Sequence, residues 1–197
     1  MLTRAQKALK RSFDLVLCLL LLPILIVPII LLIGCASWDT RQWGVFSQQR
    51  VGQYGRLFPI YKIRSLRGSQ HALGQFAQYA SPFGNWLRRH KLDEWPQLFN
   101  VLVGHMSFVG PRPDVTGFAD ALEGVDRVIL EVKPGITGPA TLKYANEDVV
   151  LRQQSDPELY NYEVIWPDKV EINKNYVQNW RFFVDLKYII QSFQINL

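Results

Sequence analysis

The chain has 197 residues, enough for one globular domain and a membrane segment, and 48% of them are hydrophobic. Its formal charge of +5 is unevenly spread: residues 1–112 carry 14 Lys and Arg against 4 Asp and Glu, whereas residues 113–197 carry 8 against 13. A basic half suits an anionic membrane face or phosphate-bearing ligands. Nucleic acid is not expected as a partner, because no zinc-finger spacing, helix-turn-helix or aromatic RNA-binding signature accompanies the charge.

Residues 15–33 form an unbroken apolar run without a charge. As a straight helix of about 28 Å the run would just cross the hydrocarbon core of a bilayer. It is too long for the apolar part of a signal peptide. Pro23 and Pro28 bend a helix, and Lys and Arg flank the run on both sides. Since basic residues stay on the cytoplasmic side, the sequence favours a re-entrant helix over a straight transmembrane one.

The segments after this run predict a mixed α/β domain that is mainly helical and has a small β-sheet. A Gly-containing turn at 52–55 precedes the alternating apolar residues Phe58 and Ile60, a pattern typical of a hairpin or short strand. Between 176 and 193, apolar residues recur at helical spacing. They predict one amphipathic helix, which packs in the core or lies in the headgroup region of a membrane.

The best-marked helix of the domain has apolar residues at positions 95, 98, 99 and 102, with Asp93 at the expected N-cap. Two loops rich in Gly and Pro follow it, at 109–113 and 133–139. Rigid loops of this kind cost backbone freedom unless they hold a site or a tight packing corner.

Asp93 and Glu94 are the first candidates for chemistry. A carboxylate at a helix N-terminus meets free backbone N–H groups, which keep it ionised and also favour a bound phosphate. With cations nearby, such a carboxylate is a workable nucleophile on phosphorus. The second carboxylate could position the first, bind metal or transfer protons. Oxygen ligands beside phosphates imply Mg²⁺.

Several cations could hold the phosphates. Arg112 stands between two prolines that fix its backbone, and Arg is well suited to bidentate phosphate contact. Lys62 and Arg64 would share one face of a strand, which suits a diphosphate or a membrane-facing patch. The sequence contains no P-loop, G-x-G-x-x-G or G-x-S-x-G motif.

Three stretches resemble the signature blocks of the bacterial sugar transferases, the monotopic phosphoglycosyl transferases that begin the assembly of membrane-linked glycans. They read QQRVGQYGRLFPIYKIRSLR, LRRHKLDEWPQLFNVLVGHMSFVGPRPD and KPGITGPATL. The resemblance covers nearly the whole chain, which is similar to a short member with little beyond the catalytic core. It implies a re-entrant membrane helix at 1–38. It also implies a cytoplasmic catalytic domain with interfacial helices at 39–197, on the bacterial inner membrane.

The resemblance also implies a reaction. Asp93 would attack the β-phosphate of a UDP-sugar, UMP would leave, and polyprenyl (undecaprenyl) phosphate would take the phosphosugar from the covalent intermediate. Glu94 would assist as partner and proton acceptor, and Mg²⁺ would bind Asp93 and the diphosphate. The expected phosphate ligands are Lys62, Arg64, Arg88 and Arg112.

Two features depart from the family pattern. His105 stands where the family usually has Asp, and residues 142–148 differ in a way that marks a subgroup, so we expect the choice of sugar to lie there. The alternative function is a membrane-anchored scaffold for glycan-assembly enzymes, which would not need the Asp-Glu pair. The sequence leaves the identity of the sugar and the formation of a homodimer open.

Overall fold

The computed structural model describes residues 2–68, 73 and 75–195. The fold is mainly helical, as predicted. The helices are α1 (Arg4–Thr40), α2 (Phe76–Tyr79), α3 (Pro82–Arg89), α4 (Gln97–Leu102), α5 (Pro139–Lys143), α6 (Glu147–Arg152), α7 (Pro157–Tyr160), α8 (Trp166–Gln178) and α9 (Phe182–Ile195). The strands are β1 (Val45–Val51), β2 (Leu57–Ile63), β3 (Ser107–Val109) and β4 (Gly135–Thr137).

Helix α1 contains the whole apolar run. It starts at a capping box in which the Thr3 hydroxyl accepts from the Gln6 amide and the Gln6 side chain accepts from the Thr3 amide. The helix is continuous through Pro23 and Pro28. It is long and apolar enough to cross a membrane, and only 11% of its most apolar 18-residue window is buried. The expected re-entrant turn at the prolines stays a prediction.

The predicted hairpin is confirmed. Strands β1 and β2 pair antiparallel, and a short turn at Gln53–Gly55 joins them. Phe58 and Ile60 of β2 are buried, as their alternation indicated, and they pack in the core with Leu98 and Val101 of α4. Ile63, at the end of β2, is also buried but packs in a separate cluster with Ala36 of α1.

The two Gly/Pro-rich loops form a tight packing corner. Strands β3 and β4 pair in parallel, a contact that the sequence did not predict. A Cβ atom on Gly135 or Gly138 would collide with the backbone of Gly110, so the two loops approach as closely as only glycine allows. The corner fixes the start of the loop that carries Arg112.

The single amphipathic helix predicted between 176 and 193 is wrong, because the chain forms two helices with a break after Gln178. The break is stabilised by the buried carboxylate of Asp185. It accepts from the hydroxyl of Tyr176 at 2.8 Å, from Nε1 of Trp180 at 3.0 Å and from Nζ of Lys10 at 2.5 Å. Three donors on one carboxylate require Trp180 to turn back toward α9, which interrupts the helix.

Both ends of α1 contact the same globular body. Near its start, the Asp14 carboxylate accepts from the hydroxyl of Ser107 and the amide of Phe108, each at 3.0 Å. Near its end, Ala36 packs with Ile63 of β2 and Leu87 of α3. The middle of the helix presents a row of exposed apolar side chains, at Val16, Leu19, Leu20, Ile24, Val27, Ile30 and Leu31.

Candidate active site

The Asp-Glu pair lies in a short 3-10 turn, Leu92–Glu94, between α3 and α4. Lys91 turns the chain with a left-handed backbone (φ 55°). The predicted N-cap at Asp93 is wrong, because α4 begins only at Gln97 with Pro96 at its N-cap. Proline has no amide hydrogen, so it cannot continue α-helical bonding back into the turn. The buried face of α4 accordingly comprises Gln97, Leu98, Asn100 and Val101.

Both carboxylates are buried: Asp93 is 4% and Glu94 is 8% exposed. Oε1 of Glu94 accepts from Nζ of Lys62 at 3.0 Å and from Nη2 of Arg112 at 2.5 Å, and its Oε2 lies 3.4 Å from Nη1 of Arg112. Oδ1 of Asp93 has no hydrogen-bond partner among the described residues. Glu94 is therefore the paired carboxylate of the site, and Asp93 is the open one.

The pKa values of the two carboxylates shift in opposite directions because their ion-pair partners differ. Burial raises the pKa of Asp93, and the nearby charge of Lys62 only partly opposes this effect. Burial by itself would also raise the pKa of Glu94, but the charges of Arg112 and Lys62 outweigh it and hold that pKa well below its ordinary value. Asp93 does not lie at the helix N-terminus that was expected to favour its ionised form, because α4 starts four residues later.

Arg112 and Lys62 thus meet at the site, as predicted. Arg112 extends from the loop after β3, where Pro111 and Pro113 are both buried. Lys62 reaches Glu94 from β2, and the carboxylate and the two cations form one cluster. Arg112 therefore lies next to the Asp-Glu pair, and its role as a phosphate ligand stays a prediction.

The structure does not bring Arg64 to this cluster. Its Nε donates to the carbonyl of Trp43 at 2.8 Å, and its guanidinium lies over the ring of Phe46. Lys62 and Arg64 are separated because β2 ends at Ile63. His105 is exposed, and its ring packs against Phe58 with 5.5 Å between ring centroids.

Arg88 lies at the end of α3 and links the site to the segment at 142–148. Its Nη2 donates to Oδ2 of Asp148 at 2.7 Å, and its positive charge lowers the pKa of Asp93 against the larger effect of burial. The segment at 142–148 is therefore connected to the site through Arg88, which forms an ion pair with Asp148 and whose charge acts on Asp93. That it selects the sugar stays a prediction.

Two further residues near Arg112 were not predicted from the sequence. Burial lowers the pKa of Arg50, at the end of β1, and the nearby charges of Arg112 and Glu94 also act on it. Its buried Nε has no hydrogen-bond partner among the described residues. Burial raises the pKa of Asp114 to about 6, against the opposing charges of Lys169, Arg50 and Arg112. Both residues lie inside signature blocks that were recognised in the sequence, but only the folded chain shows that their charges act on each other and on Arg112.

Asp93 and Glu94 alone offer few ligands for a metal ion. Within the described part of the chain, no group of three or more His, Cys, Asp or Glu side chains could hold one. Mg²⁺ commonly binds through one or two carboxylates plus substrate phosphates and water. The unpartnered Oδ1 of Asp93 fits that smaller requirement.

Comparison with known proteins gives this site a context. The sequence model of the family described as bacterial sugar transferase matches residues 5–197. The chain is 33% identical over 220 residues to an undecaprenyl-phosphate galactose phosphotransferase of Salmonella typhimurium, covering 98% of this chain and 41% of that protein. It is 33% identical over 184 residues to EpsL of Bacillus subtilis, an uncharacterized sugar transferase, covering 92% and 83%.

A third relative has a similar relationship. The chain is 32% identical over 199 residues to a UDP-glucose:undecaprenyl-phosphate glucose-1-phosphate transferase of Escherichia coli, covering 95% of this chain and 40% of that protein. The chain therefore spans about two fifths of the length of the Salmonella and Escherichia proteins and most of the length of the Bacillus one. With a family match over nearly all of its length, the chain belongs to the bacterial sugar transferase family.

Proposed function

We propose that the chain transfers a phosphosugar from a UDP-sugar to polyprenyl (undecaprenyl) phosphate and releases UMP. The observation that carries this proposal is the buried pair of Asp93 and Glu94, in which one carboxylate holds two cations and the other is left open. The names of the Salmonella and Escherichia relatives support the lipid phosphate as acceptor, and the name of the Escherichia relative supports a UDP-sugar as donor.

Asp93 is the proposed nucleophile. Its carboxylate oxygen forms a bond to the β-phosphorus of the UDP-sugar while the bond from that phosphorus to the oxygen of UMP breaks, and the electron pair leaves with UMP. An oxygen of polyprenyl phosphate then attacks the same phosphorus, and the Asp93 oxygen leaves as a carboxylate. The open Oδ1 of Asp93 supports this assignment, because a nucleophile tied into ion pairs would have to break them first.

Glu94 is proposed to hold Lys62 and Arg112 in place. A carboxylate whose pKa lies well below its ordinary value is a poor proton acceptor near neutral pH, which argues against the proton-acceptor role that the family resemblance implied. The two cations it holds can receive the negative charge of the diphosphate, and the rigid loop limits the motion of Arg112. The acceptor is already an anion and needs no base.

Mg²⁺ is proposed as cofactor, held by Asp93 and the substrate phosphates. When bound, such an ion neutralises charge on the phosphoryl oxygens and keeps the raised-pKa carboxyl of Asp93 deprotonated. The protein itself orients Asp93 by burying it in the turn that starts at Lys91.

We further propose that α1 enters and leaves the bacterial inner membrane on the cytoplasmic face. Asp14 near its start and Ala36 near its end both pack on one body, whereas a spanning helix would place these ends on opposite sides of the bilayer. The exposed Trp38 and Trp43 suit the headgroup region. Phe183, Ile190 and Phe193 give α9 an exposed apolar face that can lie in the same region.

UMP release tests the proposed reaction. The full chain would be supplied with Mg²⁺, undecaprenyl phosphate and a panel of UDP-sugars. We expect release that requires the lipid and the metal and that falls at least about 10³-fold in Asp93→Asn. The matched control Glu158→Gln alters an exposed carboxylate of α7 and should keep wild-type activity.

The same variants separate the enzyme from the scaffold alternative. A scaffold would support glycan production in cells equally well with Asp93→Asn. No UMP release from any donor, together with no labelled phosphosugar trapped on the wild-type protein, would refute the enzymatic function.

A further inference from the structure

Gln97 has a buried side-chain nitrogen that donates to no described residue. It opens α4 and is 1% exposed, and its Nε2 has no hydrogen-bond partner among the described residues. Asn100 on the same buried face is different, because its Nδ2 donates to the carbonyl of Pro59 at 2.7 Å and its Oδ1 accepts from the amide of Tyr61 at 3.1 Å. Buried polar groups are nearly always paired, so the open amide of Gln97 requires an explanation outside the fold.

The unpaired amide is four residues from a second unpaired buried atom, Oδ1 of Asp93. The chain keeps right-handed helical backbone angles at Trp95 and Pro96, between the 3-10 turn and α4, so the two residues lie about one turn apart. One atom is a hydrogen-bond donor and the other is a carboxylate oxygen, and neither is satisfied by the other. The ligand they fit offers an acceptor oxygen to the amide and an electrophilic atom to the carboxylate, and a phosphoryl group offers both.

We propose that Gln97 binds the phosphoryl group that Asp93 attacks, an inference that rests on the function proposed above. As the Asp93 oxygen bonds to phosphorus, the bond to UMP breaks and its electron pair leaves with UMP. The amide of Gln97 donates a hydrogen bond to one non-bridging oxygen and keeps its proton throughout. A neutral donor held in a buried site stabilises the charge on that oxygen without having to reorganise.

The test uses two variants of the full chain in detergent. Gln97→Met keeps the length of the side chain and removes the amide, and Asn100→Leu removes the amide that the fold does use. We expect Gln97→Met to keep or raise the melting temperature and to lower kcat for UMP release about 100-fold. Asn100→Leu should lower the melting temperature, because it leaves the Tyr61 amide and the Pro59 carbonyl unpaired.

Two results would overturn the inference. Wild-type kcat in Gln97→Met would show that the amide does not touch the reacting group, and the proposed function would stand. A melting temperature lowered as far as that of Asn100→Leu would show that the amide is held by the fold or by a buried water. If the wild type releases no UMP, the proposed function fails, and equal thermal stabilisation of the wild type and Gln97→Met by Mg²⁺ and UDP would overturn the inference separately.

Discussion

Asp114 is a carboxyl group near Arg112 whose charged form is disfavoured in the fold. Burial raises its pKa to about 6 although Lys169, Arg50 and Arg112 oppose the shift. A group whose pKa is higher in the folded state than in the unfolded state favours folding when protonated. Its contribution to stability is therefore full below its ordinary pKa of 3.8 and is lost as the pH rises through about 6.

Asp114→Asn should remove this pH dependence. We expect the variant to have a higher melting temperature than the wild type at about pH 7.5, and the difference to shrink as the pH falls from about 6 toward 4. Thermal unfolding across this pH range measures it. A constant difference at every pH would mean that the Asp114 carboxyl titrates alike in the folded and unfolded chains.

At the scale of elements, the buried ion pair of Lys10 and Asp185 joins α1 to α9. Its Nζ–Oδ2 distance is 2.5 Å, and the two side chains are 9% and 2% exposed. The carboxylate is also bonded by Tyr176 and Trp180, and removing its charge leaves the ammonium of Lys10 with only the charge of Asp14 nearby, beyond ion-pair distance. Breaking a buried pair costs about 3–5 kcal/mol, and the charge of Asp14 keeps the loss near the lower end.

Asp185→Asn should therefore destabilise the chain by about 3 kcal/mol, and adding Lys10→Met should recover part of the loss because the ammonium that lost its ion-pair partner is then removed. The recovery should be incomplete, because the buried Asp14 also loses the nearby charge of Lys10. Chemical unfolding of the single and double variants in detergent measures the coupling. If the double variant had a lower free energy of unfolding than either single variant, the ion pair would not be what links the two helices.

Elements set by local sequence were the ones that could be predicted. The β1–β2 hairpin follows from its turn and from the alternation of Phe58 and Ile60. The two prolines beside Arg112 indicated a rigid loop, but its ion pair with Glu94 was not predicted from the sequence. The break after α8 was not predicted either, because the apolar spacing continues across it and the buried contacts of Asp185 reach as far as Lys10, 175 residues away. The β3–β4 pairing is likewise a contact between distant segments.

The same limit applies to the site. Asp93, Glu94 and Lys62 lie in sequence motifs whose residue types indicated phosphate chemistry. Arg50 and Asp114 face the cluster only because strand pairing and the Gly-rich corner place them there. The helix start was mispredicted because Pro96 was expected to fit within the first turn of a helix capped by Asp93, whereas α4 begins only after Pro96.

At the scale of the whole molecule, re-entry of α1 makes a prediction about sidedness. Single cysteines introduced as Ala5→Cys and Gln42→Cys, in a Cys35→Ser background, lie at the two ends of the helix and are exposed. Both should resist a membrane-impermeant maleimide in intact cells and react once the membrane is opened. Labelling of Ala5→Cys alone in intact cells would mean that α1 spans the bilayer.

The long reach of the Lys10–Asp185 contact has a consequence for biosynthesis. A ribosome makes the apolar helix first, and Asp185 leaves the ribosome 175 residues after Lys10. Likewise, the hydrogen-bond partner of Asp14, Ser107, is synthesised 93 residues later. The newly made α1 must therefore reach the membrane while Lys10 and Asp14 are still hydrated. The ion pair that joins it to the rest of the domain can form only after α9 has been synthesised.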